Sequence, residues 1–184
     1  MVQVGHKNGI GMLGAVLAFC INFAWGNAWG GGVEPIWKRY IVASRHFSVQ
    51  SPYPFVESAP AGKEGQVMFQ NSPQIGNTQI LIVVTRRPGK MALADIPGEV
   101  LSSLEKREGY SDFESRFKKT TCSNVPAILT RRNFKKNGNV SMTVEELDAV
   151  KKETWFCVMV FHDSGNRELD RMADQVIHSF KILN

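Results

Sequence analysis

Most of the signatures by which a catalytic or cofactor-binding chain announces itself are missing from this one. Its 184 residues hold three cysteines and four histidines, with no CxxC, HxH or HxxxH spacing that would set metal ligands side by side. No GxSxG elbow presents a serine nucleophile. The glycine cluster Gly30-Gly31-Gly32 opens no helix, so no phosphate-cradling loop is indicated. Between Met1 and Gly30 there is one cation, Lys7, and no acid. These absences argue against an enzyme and name no catalytic, cofactor-binding or metal-ligating residue. A hydrolase assembled from scattered side chains remains the weakest of three functional readings.

The acid-free start is the most informative stretch. Lys7 precedes an apolar run from Ile10 to Trp25, and small residues follow in Gly26-Asn27-Ala28-Trp29-Gly30. A charge, a greasy helix and small side chains for a peptidase cleft, in that order, make a secretory signal peptide. Cleavage after Ala28 and cleavage after Gly30 both fit. The run is shorter than the roughly 20 residues that cross a bilayer, so an uncleaved inner-membrane anchor is the alternative to an exported, periplasmic or secreted chain. Cys20 follows Phe19, a bulky residue inside the apolar run, which speaks against a lipidated cysteine. The segmentation is therefore signal peptide over 1–30, linker over 31–39 and one domain over 40–184.

The remainder is sufficiently apolar to build a core, at 43% for the whole chain, and its net charge of +5 is mild. Such a charge permits anionic partners without arguing for nucleic acid. Cys122 and Cys157 would survive cleavage. In an oxidising compartment they form one disulfide or stand as two buried thiols, and the sequence leaves both open.

Hydrophobic patterning places extended segments at Tyr40–Val42, Phe47–Gln50 and Gln66–Gln70. Gln79–Thr85 and Trp155–Phe161 are continuous apolar or β-branched runs, the mark of strands buried on both faces. A helix is predicted from Ile96 to Glu108, capped by Asp95 and closed by Gly109, with Ile96, Val100, Leu101 and Leu104 inward. A second helix runs from Arg167 to His178 on Leu169, Met172, Ala173 and Val176. Between them Val125–Lys136 reads as a strand, Asn137-Gly138 as a hairpin turn, and Val140, Met142 and Val144 as the return. Residues 111–122 and 145–153 are not assigned; a short capped helix over 143–150 competes with a continuing strand. This order gives an α+β domain, a mostly antiparallel or mixed sheet covered by helices, rather than a nucleotide-binding βαβ fold.

The segments Phe47-Ser48-Val49 with Pro52-Tyr53-Pro54-Phe55, the helix from Ile96, and above all Phe156–Phe161 followed by a polar loop and a helix ending Ile177-His178-Ser179-Phe180-Lys181-Ile182 resemble the PsbP-like (DcrB-like) α/β/α sandwich superfamily. The likeness spans about residues 40–183, and the acidic stretch Glu145–Asp148 departs from it. It implies a non-enzymatic scaffold that docks on a larger assembly, with no catalytic set to carry over.

Arg131, Arg132, Phe134, Lys135 and Lys136 form the surface feature singled out by sequence, with Arg132 and Phe134 on one face of the strand and Arg131 and Lys135 on the other. They offer contact to anionic lipid, glycan or an acidic protein, or merely keep a hairpin soluble. His178 reads as a solvated partner of Asp174 four residues earlier, and His162 and His46 have no spacing that joins them. The leading function is thus an exported accessory protein acting through contact with an envelope protein or complex. The alternative is a binder of a small ligand or an anionic surface, with peripheral membrane contact.

Overall fold

Two apolar runs set the centre of the fold. β5 (Gln79–Arg86) and β9 (Thr154–Asp163) pair antiparallel along their whole length, from Gln79 opposite Phe161 to Arg86 opposite Thr154. A computed structural model describes residues 36–58, 65–71, 76–86 and 92–184. The expected signal peptide and most of the linker lie outside the described residues. Around the central pair the chain adds β3 (Phe55–Ser58), β4 (Gln66–Asn71), β6 (Tyr110–Cys122), β7 (Val125–Lys136) and β8 (Val140–Lys151). The order is β3-β4-β5-β9-β8-β7-β6, and every neighbouring pair is antiparallel. A small second sheet joins β1 (Lys38–Val42), β2 (Phe47–Ser51) and β10 (Lys181–Ile182). Lys38 and Arg39, expected in the linker, already belong to β1.

Strand alternation sends side chains to two cores. On one face, Met68, Leu81, Val83, Cys157, Met159 and Phe161 pack against helix α1 (Ile96–Glu105) through Ile96, Val100 and Leu104. On the other, Ile80, Ile82, Phe156, Val158 and Val160 pack against helix α2 (Arg167–Ser179) and the small sheet, with Phe47 and Phe180 stacked 5.6 Å apart. Each such side chain contributes about 1.5–3 kcal/mol by leaving water. The two unassigned stretches are strands: residues 111–122 lie in β6, and 145–151 extend β8, so no helix forms after Thr143.

The helix ends differ in detail from expectation. α1 stops at Glu105, and Asp95 does not cap it with its side chain; the carboxylate instead accepts from Ala92 N at 3.2 Å. Asn166 caps α2, its Oδ1 accepting from Glu168 N and Leu169 N. The Asn137-Gly138 turn forms as expected, both residues at positive φ. No helix among the described residues is long and apolar enough to cross a membrane.

Candidate functional site

The basic segment of β7 is split by the very alternation that sequence assigns to it. Arg132 and Phe134 point under α1 and are buried, at 1% and 3% exposure. Phe134 lies between Tyr110 and Phe113, with ring centroids 5.2 and 5.5 Å away. These two side chains are therefore not surface contacts. The turn residues 137–138 end a hairpin whose inner face is core, so a cation and an aromatic there are packed rather than presented. Lys135 pairs with Asp112 of β6 at 2.9 Å, and burial pulls the Lys136 ammonium below its usual range. Arg131 faces the opposite side, toward α2.

Arg132 is the hub of a polar cluster sealed beneath α1. Its guanidinium pairs with Glu146 and donates to the Pro97 carbonyl at 2.7 Å. Asp148, two residues on along the same face, accepts from Trp155 Nε1 at 2.9 Å. Burial first, then the neighbouring Glu146 carboxylate, push Asp148 well above the ordinary carboxylate range. Glu146 Oε1 and Asp148 Oδ2 are both buried there without a hydrogen-bond partner. Cys157 sits opposite Asp148 across β8 and β9. Burial, and then the Asp148 and Glu146 carboxyls, raise its thiol well above normal, so it is a packing residue and not a nucleophile.

Cys122 is on the other face of the sheet, where its Sγ lies 3.5 Å from the Phe180 carbonyl. Both cysteines are free and buried. The disulfide alternative fails because the sheet itself separates the two thiols.

The second polar cluster lies under α2. Arg131 donates to Glu145 Oε1 and to Asp170 Oδ1, both at 2.7 Å. His162 of β9, paired with Thr143 in register, falls diagonal to Glu145 on the same face. Its Nδ1 lies 3.1 Å from the Asp163 carbonyl, and its Nε2 lies 3.9 Å from Asp170 Oδ1. Burial lowers its pKa, opposed by that carbonyl and by Asp170. Burial raises Glu145, with Arg131 pulling the other way. Sequence spacing missed this grouping: the three residues stand on β8, β9 and α2, and only strand register and the helix dock join them. His46 is exposed in the turn between β1 and β2 and is not among the groups gathered around His162. His178 pairs with Asp174 at 3.1 Å in solvent, as expected.

The third feature is an edge. Among the described residues β6 pairs only with β7, and from Glu114 to Lys119 its side chains are exposed on both faces. Phe117 is 71% exposed, flanked by Arg116, Lys118 and Lys119.

No protein-family model matches this sequence, and no curated protein matches it in sequence. Solved structures do match in shape. The solution structure of cyanobacterial PsbP (CyanoP) from Synechocystis sp. PCC 6803 aligns with a TM-score of 0.60 at 11% identity, covering 85% of this chain and 98% of that one. The crystal structure of LpqN, involved in cell envelope biogenesis of Mycobacterium tuberculosis, aligns at 0.45 with 13% identity over 73% of this chain and 87% of that one. What this chain shares with cyanobacterial PsbP is its fold, the PsbP-like α/β/α sandwich.

Proposed function

We propose that the protein is an exported, non-enzymatic accessory protein of the cell envelope that acts by binding another protein. The observation that carries this reading is the β6 edge. A thirteen-residue strand whose outer backbone edge meets no other strand among the described residues is a template for strand addition, and natural sheets usually blunt such edges. Here the charges do blunt self-pairing, since Arg116, Lys118 and Lys119 would repel a second copy of themselves, while Phe117 supplies an anchor. An acidic, extended segment of a partner fits that combination. The fold likeness to cyanobacterial PsbP supports a scaffold role, and the inertness of Cys157 supports binding over catalysis. The signal-peptide pattern at 1–30 supports export.

The test is a photo-crosslinking residue placed at Phe117 in the full chain, with Glu168 on α2 as the control position, followed by mass spectrometry of adducts and of the processed N-terminus. One dominant envelope protein crosslinked from 117 and not from 168, on a chain starting near Trp29 or Gly31, is the expected result. Equal adducts from both positions, or an intact Met1 in a cytoplasmic fraction, would overturn it. Adducts to lipid alone would shift the reading to an anionic-surface binder.

A further inference from the structure

We propose that Glu145, His162 and Asp170 form a binding site for a divalent metal ion of the zinc class, which displaces Arg131 from the two carboxylates. The three residues each offer one ligand atom, and these atoms all lie within 4.8 Å of one another. Donors arranged about a metal at zinc bond lengths stand about 3.4 Å apart, so a shift of roughly an ångström, shared among three side chains, closes the set. Such carboxylate clusters alone are common. What distinguishes this one is the imidazole.

His162 is fully buried, and its Nε2 has no hydrogen-bond partner. With Nδ1 donating its proton to the Asp163 carbonyl at 3.1 Å, Nε2 carries a lone pair. That lone pair faces Asp170 Oδ1 at 3.9 Å, an arrangement in which two acceptors confront each other and a cation between them would turn repulsion into attraction. A backbone carbonyl fixing the tautomer in this way is the usual outer support of a metal-bound histidine. Arg131 makes no hydrogen bond to the imidazole; its two terminal nitrogens point at Glu145 and Asp170 instead. It does show where positive charge is wanted. Its side chain is 45% exposed, so it can swing into solvent when a doubly charged ion takes its place.

The donor set selects the ion. One imidazole nitrogen and two carboxylate oxygens suit zinc and its first-row neighbours, whereas calcium and magnesium prefer oxygen alone. Two carboxylates balance the charge of a divalent ion, and three protein ligands leave a coordination position for water.

The experiment titrates zinc, and cobalt as a spectroscopic probe, into the full chain purified without a polyhistidine tag, reading calorimetric affinity and the visible d–d bands of cobalt. Wild type is expected to bind one equivalent. Asp170→Asn and His162→Asn should each weaken binding by about tenfold or more. Arg131→Ala should tighten it by about tenfold, the scale of removing one close charge. The exposed pair His178 and Asp174 is the rival, so His178→Ala should change nothing. Asp170 is partly exposed and its variant should remain folded even if His162→Asn does not. The proposal is overturned if neither wild type nor Arg131→Ala binds zinc, if Asp170→Asn binds as wild type, or if His178→Ala abolishes binding.

Discussion

Arg132 of β7 and Glu146 of β8 form an ion pair from which α1 excludes water, with the two side chains 1% and 0% exposed. Both charges have given up their hydration, so each depends on the other. Removing one partner by Glu146→Gln or Arg132→Met strands the remaining charge and should cost about 3–5 kcal/mol. Replacing both by methionine should recover part of that loss, because no charge is left unpaired, although the Pro97 carbonyl loses its donor. Urea unfolding of the two single variants and the double variant measures the difference directly.

Asp148 gives this cluster a pH dependence of unusual sign. Its carboxyl is raised in the folded chain, so the folded state holds a proton that the unfolded state releases above the ordinary carboxylate range. Its contribution is therefore most favourable at acid pH and declines as pH rises toward the raised folded value, by about 1.4 kcal/mol per pH unit inside that window. Asp148→Asn keeps an acceptor for Trp155 Nε1 and an N–H donor toward Glu146, with no proton to lose. The stability advantage of the variant over wild type should grow from pH 4 to pH 8. A constant difference across that range would show that Asp148 titrates normally.

The thiols Cys122 and Cys157 should ignore aqueous thiol reagents in the folded protein and react as two equivalents once it is unfolded. Reducing agent should leave the melting temperature unchanged, since no bridge joins the faces of the sheet. One equivalent or none after unfolding would contradict this.

Two glycines should respond oppositely to alanine. Gly109 has φ +81, and an added Cβ would stand 2.6 Å from Asn137 Oδ1, so Gly109→Ala should cost about 1–3 kcal/mol. Gly98 lies inside α1 with nothing within 4 Å of the added carbon, so Gly98→Ala should stabilise by about 0.5–1 kcal/mol. Thermal melts of the two variants give the comparison.

The parts of the fold legible in sequence are those where burial and chemistry agree. β5 and β9 are apolar on both faces, and α2 keeps a single apolar stripe behind the Asn166 cap, so each carries its own signature. β6 carries none, because residues exposed on both faces show no alternation to read. β8 misleads in a different way: Glu145 and Glu146 look solvated until Arg131 and Arg132 reach them from the next strand, and Asp148 until Trp155 of β9 donates to it. The grouping of Glu145, His162 and Asp170 is illegible for the same reason. Their spacing along the chain says nothing, and register between β8 and β9, with α2 laid across, says everything.

The place of β9 in the sheet also has a consequence in time. The runs β3-β4-β5 and β6-β7-β8 are each sequential meanders, and β9 is the one strand that joins them; the small sheet likewise waits for β10 to pair with β2. Neither core can close until nearly the last residues are available. Contacts so distant along the chain make folding slow relative to local collapse. A polypeptide of this topology therefore stays open while it is being synthesised, until β9 and β10 arrive to lock the rest.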